Sequence, residues 1–135
     1  MSGRIAFQGE LGAYGHQACV DTCPDFTPLP CPTFTNAIDA VRSGDADLGM
    51  IAVENSTYGR VADVHSLLPE SGLHIVNEAF VRVHINLLGK PGATVDQVTR
   101  AHGHVVILPQ CAKFLQENTI KGVVSSDNAL SLIHI

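Results

Sequence analysis

The sequence predicts an α/β fold, and three observations carry that expectation. Strand-like and helix-like patterns alternate along the chain, with glycines and prolines at many of the junctions. Leu48 to Val53 is apolar almost without interruption, as expected of a strand buried on both faces, the usual state of a parallel strand. From Ala79 to Leu87 the pattern changes to a period of two, which argues for a half-exposed strand and a second lobe. The boundary is expected near His74 to Glu78, giving a first lobe of about residues 1–75 and a second of about 76–129. A cleft between two such lobes is the usual home of a small ligand.

The elements follow in order. Arg4 to Gln8 reads as a first strand, ended by Gly9 and Gly12, and Tyr14 to Val20 as a short helix. Thr27 to Pro30 is hemmed by prolines, which confines it to a short edge strand. Phe34, Ala37, Ile38 and Val41 share one face of a helix that Thr33 caps and Gly44 ends. After the apolar strand comes the polar triplet Glu54-Asn55-Ser56; Gly59 is then expected to open an amphipathic helix with Val61, Val64 and Leu68 on one side. Gly89-Lys90-Pro91-Gly92 is a turn, Thr94 and Asp96 lead a short helix, and another surrounds Cys111, Phe114 and Leu115. A last strand covers Gly122 to Val124.

Composition narrows the function classes. With 135 residues and 45% hydrophobic content, the chain can build one ordinary core and is not a disordered segment. No apolar run reaches the ~20 residues of a membrane helix. The start, MSGRIAFQGE, lacks the basic and apolar segments of a secretory signal, so a cytoplasmic location is expected. Net charge is −5 and the 8 Lys and Arg residues are scattered, leaving no electrostatic footprint for nucleic acid. The 4 cysteines lack the paired spacing of a zinc site, and reduced structural thiols are expected. His102 and His104 form a close pair, but no third ligand stands beside them, so loop histidines are expected there. No metal is expected.

The stretch GMIAVENSTYG carries the densest functional signal. A carboxylate, an amide and a hydroxyl in a row, placed where a strand meets a helix start, sit where ligands of α/β sheets bind. A plain N-cap made by Asn55 or Ser56, with Glu54 solvated, explains the same residues without a ligand.

Four segments occur in a fixed order: IAFQGELGAYGHQA, GMIAVENSTYG, RVADVHSLLPESGLHIV and HGHVVILPQC. Together they resemble prephenate dehydratase over essentially all of Arg4 to Ala129. The resemblance implies a two-lobed, periplasmic-binding-protein-like (type II) α/β fold, here with the second lobe incomplete. It implies conversion of prephenate to phenylpyruvate with loss of water and carbon dioxide, without metal or organic cofactor. The family's catalytic domain is usually followed by a phenylalanine-sensing ACT domain, absent from this sequence, and its members often dimerise.

The residue roles come by the same route. Glu54, Asn55, Ser56 and Gly59 would line the cleft from the first lobe: Asn55 and Ser56 would hold substrate oxygens, the helix starting after Gly59 would add its dipole, and Glu54 would anchor the site or deliver a proton. Gly12 and Gly15 match the family's first glycine-rich loop; Gly15 stands where the family usually has serine and Tyr14 where it often has phenylalanine or asparagine. Gln110 would reach the cleft from a helix start in the second lobe and Cys111 would be core; Val106, Ile107 and Pro109 depart from the usual small or polar residues there. Pro109 fits if it lies in a first helical turn. The family's threonine-arginine-phenylalanine motif, whose threonine is central to catalysis, has no counterpart in the sequence, so the chain alone is expected to be inactive.

Two other readings stay open. One is an arogenate dehydratase, the same chemistry on the transaminated substrate; the other is a non-catalytic small-molecule binding module of the same fold. The ending LSLIHI, Leu130 to Ile135, fits neither the pattern nor the family. It is what the end of a common sequencing adaptor, CTGTCTCTTATACACATC, encodes, so a non-native tail on a truncated reading frame is expected there.

Overall fold

The computed structural model describes residues 3–125. Its organising element is β1 (Arg4–Gln8), flanked by β2 (Thr27–Cys31) and β3 (Leu48–Met50) in a parallel sheet of order β2-β1-β3. Ile5, Ala6 and Phe7 face Leu48, Gly49 and Met50 on one side and Pro28, Leu29 and Pro30 on the other. Side chains alternate across a strand, so a central strand must be apolar at every position. Ile5 and Phe7 accordingly pack with Cys19 of α1 (Tyr14–Thr22). Ala6, between them, packs with Cys31, Ala46 and Ala37 of α2 (Phe34–Ser43). The two helices therefore cover opposite faces, giving three layers.

The ends of these elements follow from local chemistry. Thr33 caps α2, its Oγ1 accepting the Asn36 N–H at 3.1 Å. Gly44 ends it at φ +84°, a left-handed conformation that a side chain would oppose. β2 carries Pro28 and Pro30 because it is an edge, with a ladder to β1 alone among the described residues. At the sheet's opening, the Asp47 carboxylate accepts the Arg4 N–H at 2.8 Å.

After β3 the chain departs from the sequence expectation. The strand expected over Leu48 to Val53 is regular only to Met50. Glu54–Asn55 (β4) and Gly59–Arg60 (β5) then pair antiparallel, with Glu54 opposite Arg60 and Asn55 opposite Gly59. The Val61 N–H donates to the Val53 carbonyl at 3.0 Å and extends the hairpin. The following helix, α3, runs Ala62–Glu70 with Val61 as its N-cap. Gly59 thus shapes a hairpin at φ +94° and does not open the helix. Neither Asn55 nor Ser56 is the cap. Val64 seats α3 in the interior, and the buried Ser71 closes it: its hydroxyl donates to the Leu68 carbonyl at 2.7 Å and accepts the Leu73 N–H at 3.1 Å.

The strand expected over Ala79 to Leu87 is absent among the described residues. Its period survives as burial: Ala79, Val81 and Val83 are half-buried while Phe80, Arg82 and His84 are exposed. A strand also needs a hydrogen-bonding neighbour, and the described residues provide none for this segment.

The chain divides into two compact units. One holds the chain up to Asn55 with Gly59–Val83; the other holds Ser56–Tyr58 with the chain from His84 onward. The second unit contains a 3₁₀ turn, Val95–Gln97, set by a capping box between Thr94 and Gln97. It continues with β6 (Arg100–Gly103), α4 (Ile107–Gln110), α5 (Ala112–Glu117) and β7 (Lys121–Val124), and β6 pairs with β7 in parallel. Leu108 and Leu115 lie close to Gly122, which keeps both short helices against β7. β6 places His102 on a strand rather than in the expected loop. The expected tail, Leu130 to Ile135, lies outside the described residues.

All four cysteines are free thiols, with Cys19 and Cys31 buried. Burial pushes the Cys19 thiol from 9.0 up to about 11, and the neighbouring Cys23 adds to the rise. A raised folded-state value means the stability held by the protonated thiol is complete below the unfolded value. It is lost as pH climbs through the folded one. Urea unfolding of the wild type should therefore weaken between 9.0 and about 11 more steeply than that of a Cys19→Ala variant. The excess should reach on the order of 2 kcal/mol; parallel pH profiles would contradict the burial of this thiol.

Candidate active site

The loop after β1 is built by two glycines. Gly9 (φ +117°) gives its N–H to the Cys31 carbonyl at 2.9 Å, tying the loop to the end of β2. Gly12 (φ +93°) gives its N–H to Nδ1 of His16 at 3.0 Å, one turn into α1. The His16 ring stands 5.8 Å from that of Phe7. The Gly12 amide is thus held by the protein's own imidazole.

Gly15 has a different reason to be glycine. A Cβ there would stand 3.1 Å from Cδ2 of Phe7 and 3.3 Å from the Gln8 carbonyl oxygen. The hydroxymethyl expected of the family has no room without a shift of α1 from β1. At Gly15 the sequence encodes helix-to-strand packing.

The triplet is presented on the hairpin. Glu54 and Ser56 are exposed and Asn55 is half-buried. Glu54, Asn55 and Gly59 belong to the first unit with Gly12 and Gly15, while Ser56 groups with the second unit. Gln110 also belongs to the second unit. It ends α4 rather than starting a helix, and its Nε2 donates to the Val106 carbonyl at 2.8 Å. Pro109 is the third residue of α4, inside the first turn, where a missing N–H is harmless. Cys111 is half-buried, and its thiol is pushed up by burial.

Sequence reasoning missed a groove of about 630 Å³ in the first unit. It is lined by Gln8 at the carboxyl end of β1, Pro32 to Thr35 at the start of α2, and Asp63, Ser66 and Leu67 of α3. Gln8 Nε2 reaches the Pro32 carbonyl at 3.4 Å. The position is the one α/β sheets use for ligands, and Gln8 as last residue of the first strand was its signal in the sequence. None of the sequence-derived candidates lines it. Asp63 is the one charged residue in its lining. Among the described residues no His, Cys, Asp and Glu cluster could hold a metal ion, and no helix is long and apolar enough to cross a membrane.

The layered parallel sheet defines an α/β domain. The sequence profile described as prephenate dehydratase matches residues 5–135, and the chain belongs to the prephenate dehydratase family. It is 49% identical over 125 residues to a bifunctional N-acyl-homoserine lactone acylase/prephenate dehydratase of Komagataeibacter europaeus, covering 93% of this chain and 44% of that protein. It is 36% identical over 123 residues to the chloroplastic arogenate dehydratase 5 of Arabidopsis thaliana, covering 91% of this chain and 29% of the relative. Among solved structures, the prephenate dehydratase of Arthrobacter aurescens in complex with L-Phe superposes with a TM-score of 0.79 at 27% identity, covering 96% of this chain and 45% of that one. The chain spans less than half the length of these relatives.

The contact at Gly15 is open to test. Gly15→Val should overpack the α1–β1 seam and lower stability by about 1–3 kcal/mol in urea unfolding. A variant as stable as the wild type would show that α1 does not lie this close to Phe7.

Proposed function

We propose that the protein acts as a prephenate dehydratase, a carbon–oxygen lyase of phenylalanine biosynthesis. The observation that carries this reading is the match of the family profile to residues 5–135. In the reaction the bond from the ring to its carboxylate breaks and carbon dioxide departs. The released electron pair makes the ring aromatic as the C–O bond breaks, and the hydroxyl takes up a proton to leave as water. The protein must hold two carboxylates, protonate the leaving oxygen and exclude water.

In this reading Asn55 and Ser56 donate hydrogen bonds to substrate oxygens, Glu54 orders the hairpin, and Gly59 gives the turn its shape. Gly12 shapes the first loop, Gly15 lets α1 close on it, and Gln110 contributes from the second unit. The two units correspond to the lobes of a periplasmic-binding-protein-like fold whose second lobe is incomplete in this chain. The greater length of the relatives supports that view. The protein is proposed to work in the cytoplasm as a homodimer, without metal or cofactor. The tail from Leu130 is proposed to be non-native.

The 36% identity with a plant arogenate dehydratase supports the transaminated substrate as an alternative. The 49% identity with a bifunctional relative favours a second activity, hydrolysis of the amide of N-acyl-homoserine lactones.

Phenylpyruvate formation from prephenate decides the reading. The 135-residue chain should show none above background, whereas the protein extended to its relatives' length should turn over. In that longer protein, Asn55→Ala or Ser56→Ala should lower kcat/KM by about 10- to 100-fold, the loss of one hydrogen bond to a charged group. A full-length protein that binds prephenate without converting it would leave the binding module. Conversion of arogenate alone, or release of homoserine lactone alone, would establish one of the other activities in its place.

A further inference from the structure

The fold sets the chemistry of His16 and leaves half of it unused. A backbone N–H can only donate, so the 3.0 Å bond from Gly12 requires a lone pair on Nδ1. The proton of the neutral ring then sits on Nε2. The ring plane is held as well, because the enclosed Phe7 ring stands 5.8 Å away at an angle of 31°. A nitrogen tied to the backbone and a ring braced on the core keep an imidazole in one tautomer and one orientation.

The other nitrogen is open. Nε2 has no hydrogen-bond partner among the described residues. His16 is half-buried, yet no buried side-chain nitrogen or oxygen among those residues is left unpaired. Nε2 therefore reaches solvent. It does so from the third residue of α1, in the loop-to-helix segment that follows the carboxyl end of β1. Ligands of open α/β sheets bind at that end. The imidazole thus passes the loop's donor outward, with the Gly12 N–H entering Nδ1 and the Nε2–H leading away. Hydrogen bonds in such a chain polarise one another, so accepting at Nδ1 strengthens donation at Nε2.

The same arrangement excludes other roles. While Nδ1 accepts from Gly12, Nε2 carries a hydrogen and cannot take up a proton as a base. Giving that hydrogen away would leave an imidazolate. Donation to an oxygen remains, and it is strongest when the oxygen is anionic.

We infer that His16 is a substrate-binding residue whose Nε2–H donates to a carboxylate oxygen of the ligand, with Gly12 and Phe7 holding the ring for that contact. The choice of prephenate as the ligand rests on the dehydratase reading; the tautomer and the open donor do not.

Two substitutions separate binding from bracing. In His16→Asn the amide oxygen can take the place of Nδ1 and keep the tie to Gly12, but nothing reaches the position of Nε2. In His16→Gln an amide N–H reaches that position and the tie is lost. In the protein extended to its relatives' length, His16→Asn should lower kcat/KM for prephenate by about 10- to 100-fold, the loss of one hydrogen bond to a charged group. His16→Gln should stay within about ten-fold of the wild type. The reverse order, or equal losses, would make His16 a brace of the loop and overturn the inference. So would long-range nitrogen–proton NMR of the histidine-labelled 135-residue chain that places the ring proton on Nδ1 instead of Nε2. An extended wild type that converts no prephenate would remove the dehydratase reading and this ligand with it. Turnover equal in the wild type and His16→Asn would remove the inference and leave that reading standing.

Discussion

The burial of β1 on both faces is the constraint on which the first unit depends. Phe7 and Ala6 are wholly enclosed and Ile5 nearly so, each facing a different layer from its neighbour. Burying Phe7 and Ile5 stabilises by roughly 1.5–3 kcal/mol apiece, and their alternation with Ala6 fixes which helix lies on which side. The small residue at the centre lets α2 approach through Ala37, while the large ones fill the space toward α1. Gly15 belongs to the same constraint, because α1 reaches Phe7 only where no Cβ intervenes. Function inherits this geometry: Gln8, the last residue of the same strand, opens the groove, and the loop that follows begins with Gly9.

The hairpin at Glu54 to Arg60 alters the picture of the candidate site. A triplet at a helix start would share that helix's dipole and free N–H groups. On the hairpin, Glu54 and Asn55 pair with Arg60 and Gly59 across the ladder between β4 and β5, and Ser56 begins the turn. The groove, meanwhile, is walled by Asp63 and has no basic residue. The groove lining thus supplies no cation for a dicarboxylate, whereas the hairpin carries Arg60 opposite Glu54.

Legibility in the sequence follows the range of the forces involved. Local signals were readable: the bounds of β1, the Thr33 cap and Gly44 stop of α2, and the proline-marked edge at β2 all rest on chemistry within a few residues. The family was readable because four ordered segments constrain it jointly. The hairpin was not, since Val61 to Leu68 keeps a helical period that masks where the helix opens; the deciding facts are the positive φ of Gly59 and a cross-strand pairing. β6 was hidden because Arg100-Ala101-His102-Gly103 is short and holds no large apolar residue, and only its pairing with β7 makes it a strand. Ala79 to Leu87 shows the converse, a period of two without a ladder among the described residues.

Native-state hydrogen exchange tests the role of β1 most directly. If the strand is the enclosed centre of the sheet, the amides of Ile5, Ala6 and Phe7 should be among the slowest in the chain and exchange only with global unfolding. Amides of the exposed turn Gly89 to Gly92 should exchange far sooner. Exchange of β1 at the rate of that turn would contradict the account, because the layers on both faces would then not be held by the strand between them.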